Sequence, residues 1–397
     1  MSTPSPFPAL LPADAADAVL VGRLFDPETG GPVVVVLRGE RLVEATQAAP
    51  TVSQLLELDD PAGALARIEG GREWPLEAVA AASGRNGPDR ETRPVLLAPC
   101  DLQTVKACGV TFARSMIERV IEERAKGDLA LAASIRGEIG SVIGGALTDV
   151  VAGSPKAAEV KRILQERGYW SQYLEVGIGP DAEVFTKAPV LASVGWGAEI
   201  GILPSSEWNN PEPEVVLAVD SRGRIRGATL GNDVNLRDVE GRSALLLGKA
   251  KDNNASSAIG PFLRLFDARF TLDDVRAAEL TLTVEGAGDG YRLDGRSSMR
   301  EISRDPADLV AQALGRHHQY PDGMMLYLGT LFAPVEDRDA PGKGFTHKVG
   351  DRVSIASPRL GRLENTVVHT DAAQPWRFGI AELMRYLAGR GLLGRPA

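Results

Sequence analysis

The chain has 397 residues, of which 44% are hydrophobic and 24% are charged, and its formal net charge is −9. This length and hydrophobic content suffice for a large core and favour two domains. The acidic balance, without basic runs interleaved with aromatic residues, argues against a nucleic-acid partner. No apolar run is long enough to span a bilayer, so no membrane association is expected.

The cysteines and the start of the chain bear on location. Cys100 and Cys108 fit no disulfide or metal-binding framework. The first twenty residues lack the basic start and apolar core of a secretory signal. A reducing cytoplasm is therefore the expected compartment.

Residues 1–98 predict a small N-terminal α+β domain. Hydrophobic runs after residue 18 flank a Gly-containing turn and indicate short strands. Helical patterns with capping residues follow at residues 53–68 and 76–83. Gly and Pro at residues 84–88 are typical of a linker. This part of the chain holds no clustered chemistry, and its role stays open.

Residues 99–397 predict a second, larger domain. Its first half holds a helical stretch from residue 112 to residue 151, with Glu118 near the apolar edge of the first helix. Many short strands separated by Gly and Pro turns follow. Strands with appended helices indicate an α+β fold rather than alternating βαβ units.

One hairpin carries the densest candidate chemistry. Glu212 and Glu214 precede an apolar run, a polar turn follows at residues 220–223, and a second run ends at Asp233. Two runs joined by a tight turn predict a β-hairpin. A symmetric turn places Glu214 opposite Thr229, and the alternation of side chains brings Asp233 to the face of the two glutamates.

Three carboxylates at one end of a hairpin repel one another unless protons or a cation offset their charge. An all-oxygen set with open positions suits a hard divalent cation, Mg²⁺ first, with Mn²⁺ or Ca²⁺ as alternatives. The competing interpretation is an edge strand whose glutamates are solvated. A one-residue bulge in the hairpin would turn Asp233 to the opposite face.

Several short motifs stand in the order found in the fumarylacetoacetate hydrolase family, which the chain resembles over roughly residues 95–370. The motifs are Glu212 with Glu214, residues 231–238, residues 248–252, residues 259–261, Gly329-Thr330 and Gly350-Asp351. Each motif alone is weak, but the ordered set is specific. The resemblance implies a mixed β-roll catalytic domain with a helical insertion.

The resemblance also implies roles for individual residues. They are a divalent-metal site at Glu212, Glu214 and Asp233, a catalytic base at Lys249, and substrate contacts at Arg237, Thr330 and Lys187. Two alternatives stay open on the residues themselves. Lys249 could serve only as an ion-pair partner of the glutamates, and Arg237 could anchor a neighbouring carboxylate.

One position departs from the family pattern. Members that hydrolyse C–C bonds carry a His–Glu dyad, and here Ser115 stands in place of the histidine while Glu118 is kept. The departure argues against C–C hydrolysis. Ser115 is assigned to the substrate pocket, with an ordinary helix position as the alternative. Glu118 is the predicted general acid, and Glu175 competes for that role.

With this departure and the long helical segment, the chain is similar to the branch that dehydrates 2-keto-3-deoxy sugar acids, closest to 2-keto-3-deoxy-D-xylonate (D-arabinonate) dehydratases. The implied reaction converts a 2-keto-3-deoxypentonate to 2-oxoglutarate semialdehyde and water through a metal-stabilised enolate, in oxidative pentose catabolism. An acylpyruvate-type hydrolase, a decarboxylase of the same fold and a non-catalytic metal-binding protein are the alternatives. The family further implies a homodimer or homotetramer. Pentonate versus hexonate, and the configuration at C4, stay open.

Overall fold

The fold is given by a computed structural model, which describes residues 10–87, 90–112, 116, 137, 150–331, 336–339 and 344–394. Its strands are β1 (Leu20–Asp26), β2 (Gly31–Arg38), β3 (Arg41–Glu44), β4 (Glu73–Pro75), β5 (Val95–Leu97), β6 (Thr104–Gly109), β7 (Glu183–Ala188), β8 (Glu199–Ile202), β9 (Asn209–Asn210), β10 (Pro213–Val219), β11 (Ile225–Asp233), β12 (Asn235–Leu236), β13 (Ser257–Leu265), β14 (Glu279–Glu285), β15 (Arg292–Ser298), β16 (Met324–Tyr327), β17 (Arg352–Ser357) and β18 (Gly361–His369).

The α-helices are short. They are α1 (Val52–Glu57), α2 (Pro61–Ala66), α3 (Leu76–Ser83), α4 (Pro155–Glu166), α5 (Gln172–Ile178), α6 (Arg237–Glu240), α7 (Leu247–Lys251), α8 (Leu272–Arg276), α9 (Pro306–Ala313) and α10 (Ile380–Gly389). Several begin where the sequence predicts, because a side-chain oxygen caps the first turn. Thr51, Asp60 and Ser154 each accept a hydrogen bond from a backbone N–H in the helix that follows.

Two large sheets and a two-stranded sheet of β12 with β9 build the molecule within the described residues. The larger has eleven strands in the order β4-β3-β2-β1-β13-β11-β10-β16-β6-β7, with β5 also paired to β1. The smaller has five strands in the order β15-β14-β17-β18-β8. Most pairs are antiparallel, while β16 with β6 and β18 with β8 are parallel. The mixed α+β fold predicted from the sequence is confirmed.

Strand β10 is central, and all seven of its residues are buried. Alternate side chains serve different cores, because successive residues of a strand point to opposite faces. Val215 and Leu217 join a cluster with residues of the smaller sheet, such as Leu282 and Ile355. Val216 joins a second cluster with side chains of β1, β13 and α1. The site described below therefore stands on a strand fixed from both sides.

The predicted hairpin of β10 and β11 forms with a different register. Glu214 pairs with Gly231 rather than with Thr229, and Val219 pairs with Ile225 across a longer turn than predicted. A register shift between Ala218 and Val219 adds one more offset. The longer turn and the register shift each move the pairing by one residue. Because the total shift is two residues, each side chain stays on the face of the sheet predicted for it.

The N-terminal segment continues the large sheet. β1 pairs with β13 through Leu20 with Arg264 and Val21 with Leu263. The domain boundary at residue 98 stays a prediction. The helices predicted between residues 113 and 149 lie outside the described residues, except for positions 116 and 137. Over the ranges that are described, no helix has the length and apolarity needed to cross a membrane.

Candidate metal centre

Glu212, Glu214 and Asp233 come together at the end of the β10–β11 hairpin. One carboxylate oxygen from each lies within 4.8 Å of the others. Their exposed fractions are 6%, 2% and 1%, so bulk solvent does little to screen their charges from one another. The sequence prediction that these three side chains share one face agrees with this geometry. The edge-strand alternative does not, because β10 and β11 both have neighbours on each side.

Each carboxylate is oriented by a donor. The backbone N–H of Gly329 donates to Glu214 Oε2 at 2.7 Å, and Gly329 has a φ of +90° that favours glycine. The Asn235 amide donates to Glu212 Oε1 at 3.0 Å. Asp233 lies between two lysines. The oxygens therefore hold their positions through the protein itself.

The negative charges of the three carboxylates repel one another, and burial raises the cost of each charge. Burial, with the charges of Asp233 and Glu212, raises the pKa of Glu214 well above its ordinary value. Burial also raises the pKa of Glu212, despite the nearby Lys251. Burial opposes the ionisation of Asp233 as well, but Lys187 and Lys251 outweigh it and hold its pKa below the ordinary value. A divalent cation among these oxygens would offset the remaining repulsion.

Lys187 forms an ion pair that holds the side chain of Asp233 in position. The side chain is fully buried, and its Nζ lies 2.8 Å from Asp233 Oδ1. The ammonium also donates to the backbone carbonyls of Val234, at 2.9 Å, and Lys251. It is not among the residues that line the cavity described below. The substrate contact of Lys187 stays a prediction, and the contacts in the structure are those of a residue that positions a carboxylate.

Lys251 is the lysine that reaches the carboxylates. Its Nζ donates to Glu212 Oε2 and, at 3.0 Å, to Asp233 Oδ2. Burial opposes its charge, but Asp233 and Glu212 outweigh burial and raise the pKa of Lys251. Its ammonium also lies 5.6 Å from the centre of the Phe185 ring. Lys251 therefore closes one side of the centre.

Lys249, the base predicted from the sequence, lies elsewhere. It is exposed, and Lys251 two residues later is buried. Residues two apart in an α-helix point about 200° away from each other, so the two side chains of α7 leave in opposite directions. The catalytic role of Lys249 stays a prediction from the sequence, and Lys251 is the lysine of this helix that contacts the carboxylates.

The carboxylates open into a cavity of about 80 Å³. Side chains of several elements complete its wall, namely Cys108, Val110, Tyr173, Glu183, Phe185, Glu240, Leu247, Thr330 and Leu331. Thr330 was predicted to contact substrate and does line this space. Its hydroxyl donates to the Pro213 carbonyl at 3.1 Å.

Glu183 in β7 is a cavity residue that the sequence reasoning missed. It pairs with Gly109 of β6, and a Cβ added to Gly109 would lie 1.9 Å from Glu183 Oε2. Glycine therefore leaves the room that this carboxylate occupies. The signal was the alternation of Glu183 with Phe185 along β7, because residues two apart share a face. A register shift beyond Thr186 interrupts this alternation before Lys187.

The remaining predicted residues lie apart from the cavity or cannot be placed. Arg237 opens α6, is 6% exposed and holds its guanidinium 4.5 Å from the Trp208 ring centre; it does not line the cavity. Glu175 forms an ion pair with Lys161, which with the Trp170 N–H holds its pKa below the ordinary value against partial burial. The predicted roles of Ser115 and Glu118 fall outside the described residues.

A family model agrees with the sequence pattern. The model for the fumarylacetoacetate (FAA) hydrolase C-terminal domain matches residues 156–368, more than half of the 397-residue chain. The matched range contains the three carboxylates and both buried lysines.

Two curated proteins are similar over part of their length. The chain is 31% identical over 203 residues to a probable 2-keto-3-deoxyxylonate dehydratase of Haloferax volcanii, which covers 51% of this chain and 66% of that protein. It is 32% identical over 184 residues to a 2-dehydro-3-deoxy-D-arabinonate dehydratase of Saccharolobus solfataricus, covering 46% and 57%. The chain thus spans less than two thirds of either relative.

A solved structure shares the fold. A 2-keto-3-deoxy-D-arabinonate dehydratase complexed with magnesium and 2,5-dioxopentanoate superposes with a TM-score of 0.59 at 19% identity, covering 88% of this chain and 99% of that one. At this identity the likeness establishes the fold alone.

Proposed function

Because the chain belongs to the fumarylacetoacetate hydrolase family, we propose that it is a metal-dependent hydro-lyase acting on a 2-keto-3-deoxypentonate. The reaction removes water and yields 2-oxoglutarate semialdehyde. The observation that carries the proposal is the meeting of three buried carboxylates with the Lys251 ammonium at one cavity. The names of the two curated relatives support the same substrate class.

The donor set fits a hard cation. Within the described ranges, the clustered ligands are the oxygens of Glu212, Glu214 and Asp233, which suit Mg²⁺ better than softer metals. When bound, such an ion would polarise the 2-oxo group of a chelating acid. The structure that shares the fold is complexed with magnesium and 2,5-dioxopentanoate, and the latter is another name for the proposed product.

Two side chains are placed to move protons. Lys251 lies at the carboxylates and is the proposed acceptor of the C3 proton. A bound cation would offset the carboxylate charges and so weaken the effect that holds the pKa of Lys251 above its ordinary value. Glu183 lines the same cavity and is the proposed donor to the departing C4 hydroxyl. A proton then moves from C5 to C3 of the resulting enone, which yields the aldehyde. Glu118 stays a second candidate from the sequence.

The test is a substrate comparison with Mg²⁺ present. Purified protein is given 2-keto-3-deoxy-D-xylonate, a 2-keto-3-deoxyhexonate or an acylpyruvate. Aldehyde from the pentonate is followed with a coupled aldehyde dehydrogenase, pyruvate from the acylpyruvate with a coupled lactate dehydrogenase, and loss of the hexonate by chromatography. We expect aldehyde from the pentonate and no turnover after removal of the metal by a chelator. Turnover of acylpyruvates alone would replace the proposal with a hydrolase, and no turnover of any substrate would favour a metal-binding protein.

The cytoplasm and a homodimeric or homotetrameric state complete the proposal. Both come from the sequence and the family rather than from contacts in a single chain. Light scattering coupled to size-exclusion chromatography measures the oligomeric state, and a monomeric mass would contradict it.

A further inference from the structure

We propose that a second cleft of this chain binds a small organic monocarboxylate. The cleft has a volume of about 430 Å³ and lies between the β1–β2 region, the loop at residues 191–199 and the segment at residues 374–378. None of the residues that line it lines the metal cavity. Its volume falls within the range of about 300–1,000 Å³ that is typical of small-molecule sites.

Arg90 supplies the charge that such an anion would meet. Its side chain lines the cleft and the residue is 6% exposed. The guanidinium donates to the carbonyls of Ser83 and Leu96, and no carboxylate within the described ranges forms an ion pair with it. Burial lowers the pKa of Arg90 to about 10, with Glu199 acting in the opposite direction. Among the described residues, the charge of Glu199 therefore offsets the desolvation cost of Arg90 only in part.

The neighbouring arginine shows the contrast. Arg23 also lines the cleft and is 5% exposed. Its Nη1 donates to the Ala98 carbonyl at 3.2 Å, and its Nε lies 3.7 Å from a carboxylate oxygen of Asp101. The charge of Arg23 therefore has a partner inside the protein. A carboxylate in the cleft would give Arg90 the partner that Arg23 already has.

The other walls select the rest of the ligand. Phe25, Pro32, Leu97 and Phe378 make one part of the cleft apolar, and the ring of Trp376 remains 48% exposed beside them. Apolar walls with few polar groups favour a hydrocarbon or aromatic body. Such a wall and one buried cation together match an amphipathic acid.

Two glutamates restrict the ligand to a single charge. Glu199 and Glu382 line the same cleft. Glu382 is paired with Arg385, whereas Glu199 accepts a backbone hydrogen bond from Gln374. A phosphate dianion would meet these carboxylates as well as Arg90, and like charges repel. A monocarboxylate gains the arginine with the least opposition.

Calorimetry with three probes tests the inference. Phenylacetate, 3-phenylpropanoate and 4-methylpentanoate are titrated separately into the full chain, with inorganic phosphate and 2-phenylethanol as comparisons. We expect at least one of the three carboxylates to bind with a stoichiometry of one per chain. We expect neither phosphate nor 2-phenylethanol to bind. Arg90→Gln should weaken binding about tenfold or more, because hydrogen bonds to charged groups are the stronger ones.

Two further variants keep the test decisive if Arg90→Gln folds poorly. Trp376→Ala removes a half-exposed side chain from the wall of the cleft and should weaken binding with little effect on folding. Arg85→Gln removes an exposed arginine that does not line the cleft and should bind like the unaltered protein. The Lys251→Met variant should also bind normally, which separates this cleft from the proposed activity.

Three outcomes would overturn the proposal. They are the absence of binding by all three carboxylates at millimolar concentration, equal binding by Arg90→Gln and the unaltered protein, and a crystal in which a second copy of the chain fills the cleft.

Discussion

The two buried lysines of the metal centre differ in their surroundings. Lys187 is enclosed by Asp233 and by backbone carbonyls, so its ammonium has its partners within the protein. Lys251 contacts two of the three carboxylates and lines the cavity. Proton transfer needs access to the substrate as well as a suitable pKa. Lys251 has access to the cavity in which substrate would bind, and Lys187 does not.

Replacing Lys251 should separate binding from turnover. We expect Lys251→Met to lower kcat by about 10²–10⁴-fold, the usual contribution of a general base, while calorimetry still detects Mg²⁺ binding. Lys249→Met is the matched control, since Lys249 is exposed on the same short helix. An active Lys251→Met variant, or an inactive Lys249→Met variant, would remove Lys251 from the mechanism.

Glu183 should be distinguishable from Glu175 by its pH profile. We expect Glu183→Gln to lower kcat about 10²-fold or more and to flatten the limb of the profile that reports the general acid. Glu175→Gln breaks only an ion pair with Lys161 on a partly exposed surface and should leave both kcat and the profile unchanged. If Glu175→Gln lowered kcat and Glu183→Gln did not, Glu175 would replace Glu183 as the candidate general acid.

At the scale of single residues, the sequence predicts those positions that follow from the alternation of side chains along a strand. Glu212, Glu214 and Asp233 could be predicted together, because a strand repeats every two residues and an even error in register does not change the face. The sequence could not predict which of Lys249 and Lys251 is buried. The helix α7 has only five residues, so its apolar pattern is too short to indicate which face of the helix points to the core. Glu183 required knowing that β7 pairs with β6.

At the scale of the hairpin, the turn sets the register. Asp220 accepts backbone hydrogen bonds from Arg222 at 3.0 Å and Arg224 at 2.9 Å, and Gly223 has a φ of +80°. This aspartate-centred turn is longer than the symmetric loop assumed from the sequence. Side-chain capping of a turn depends on rotamers that residue type alone does not specify.

Gly231 tests how tightly the metal-bearing strand packs. A Cβ at this position would lie 2.3 Å from Tyr327 Cε1 and 2.5 Å from Val216 Cγ2. We expect Gly231→Ala to lower the free energy of unfolding by about 1–3 kcal/mol, a typical cost of overpacking, measured by urea denaturation. Gly248→Ala is the control, because a Cβ there meets nothing within 4 Å. Equal stabilities would mean that the Tyr327 ring shifts freely.

Asp26, at the end of β1, should make stability depend on pH. Burial opposes its ionisation, but Arg72 and Thr29 outweigh burial and hold the pKa of Asp26 below its ordinary value. A lowered native pKa stabilises the fold above the unfolded pKa of about 3.9, and this stability is lost as the pH falls through the native pKa.

We therefore expect Asp26→Asn to destabilise by about 1–3 kcal/mol at pH 7, with a smaller difference at pH 3, in urea denaturation at both pH values. Asp17→Asn breaks an exposed pair with Arg269 and should change stability by less than about 1 kcal/mol. A penalty for Asp26→Asn that is independent of pH would contradict the assigned linkage.

For the whole molecule, the metal should act as a stabilising ligand. Mg²⁺ at about 100 times its Kd should add about 2.7 kcal/mol to the free energy of unfolding, because it binds carboxylates that are close together only in the fold. Thermal denaturation with Mg²⁺ and with a chelator measures the increment. Glu214→Gln should lose it, and the exposed Glu279→Gln should keep it. An equal increment in both variants would place the ion elsewhere.

The sheet order of the whole chain is the part that sequence reasoning could not supply. Local patterns predicted β1, β2 and β3, because each is a hydrophobic run beside a turn. The pairing of β1 with β13 joins residues more than 240 positions apart, and no local pattern specifies which distant edge a strand will meet. The sequence therefore predicts a domain boundary near residue 98 without indicating this pairing, and the boundary stays a prediction.

That pairing also constrains how the protein can be cut. β13 has β1 on one side and β11, which ends at Asp233, on the other. A fragment that starts near residue 98 leaves β13 with a bare row of N–H and C=O groups, a template for strands of other molecules. Such truncations should self-associate into intermolecular sheets, so soluble fragments for crystallography or assay need to begin before Leu20.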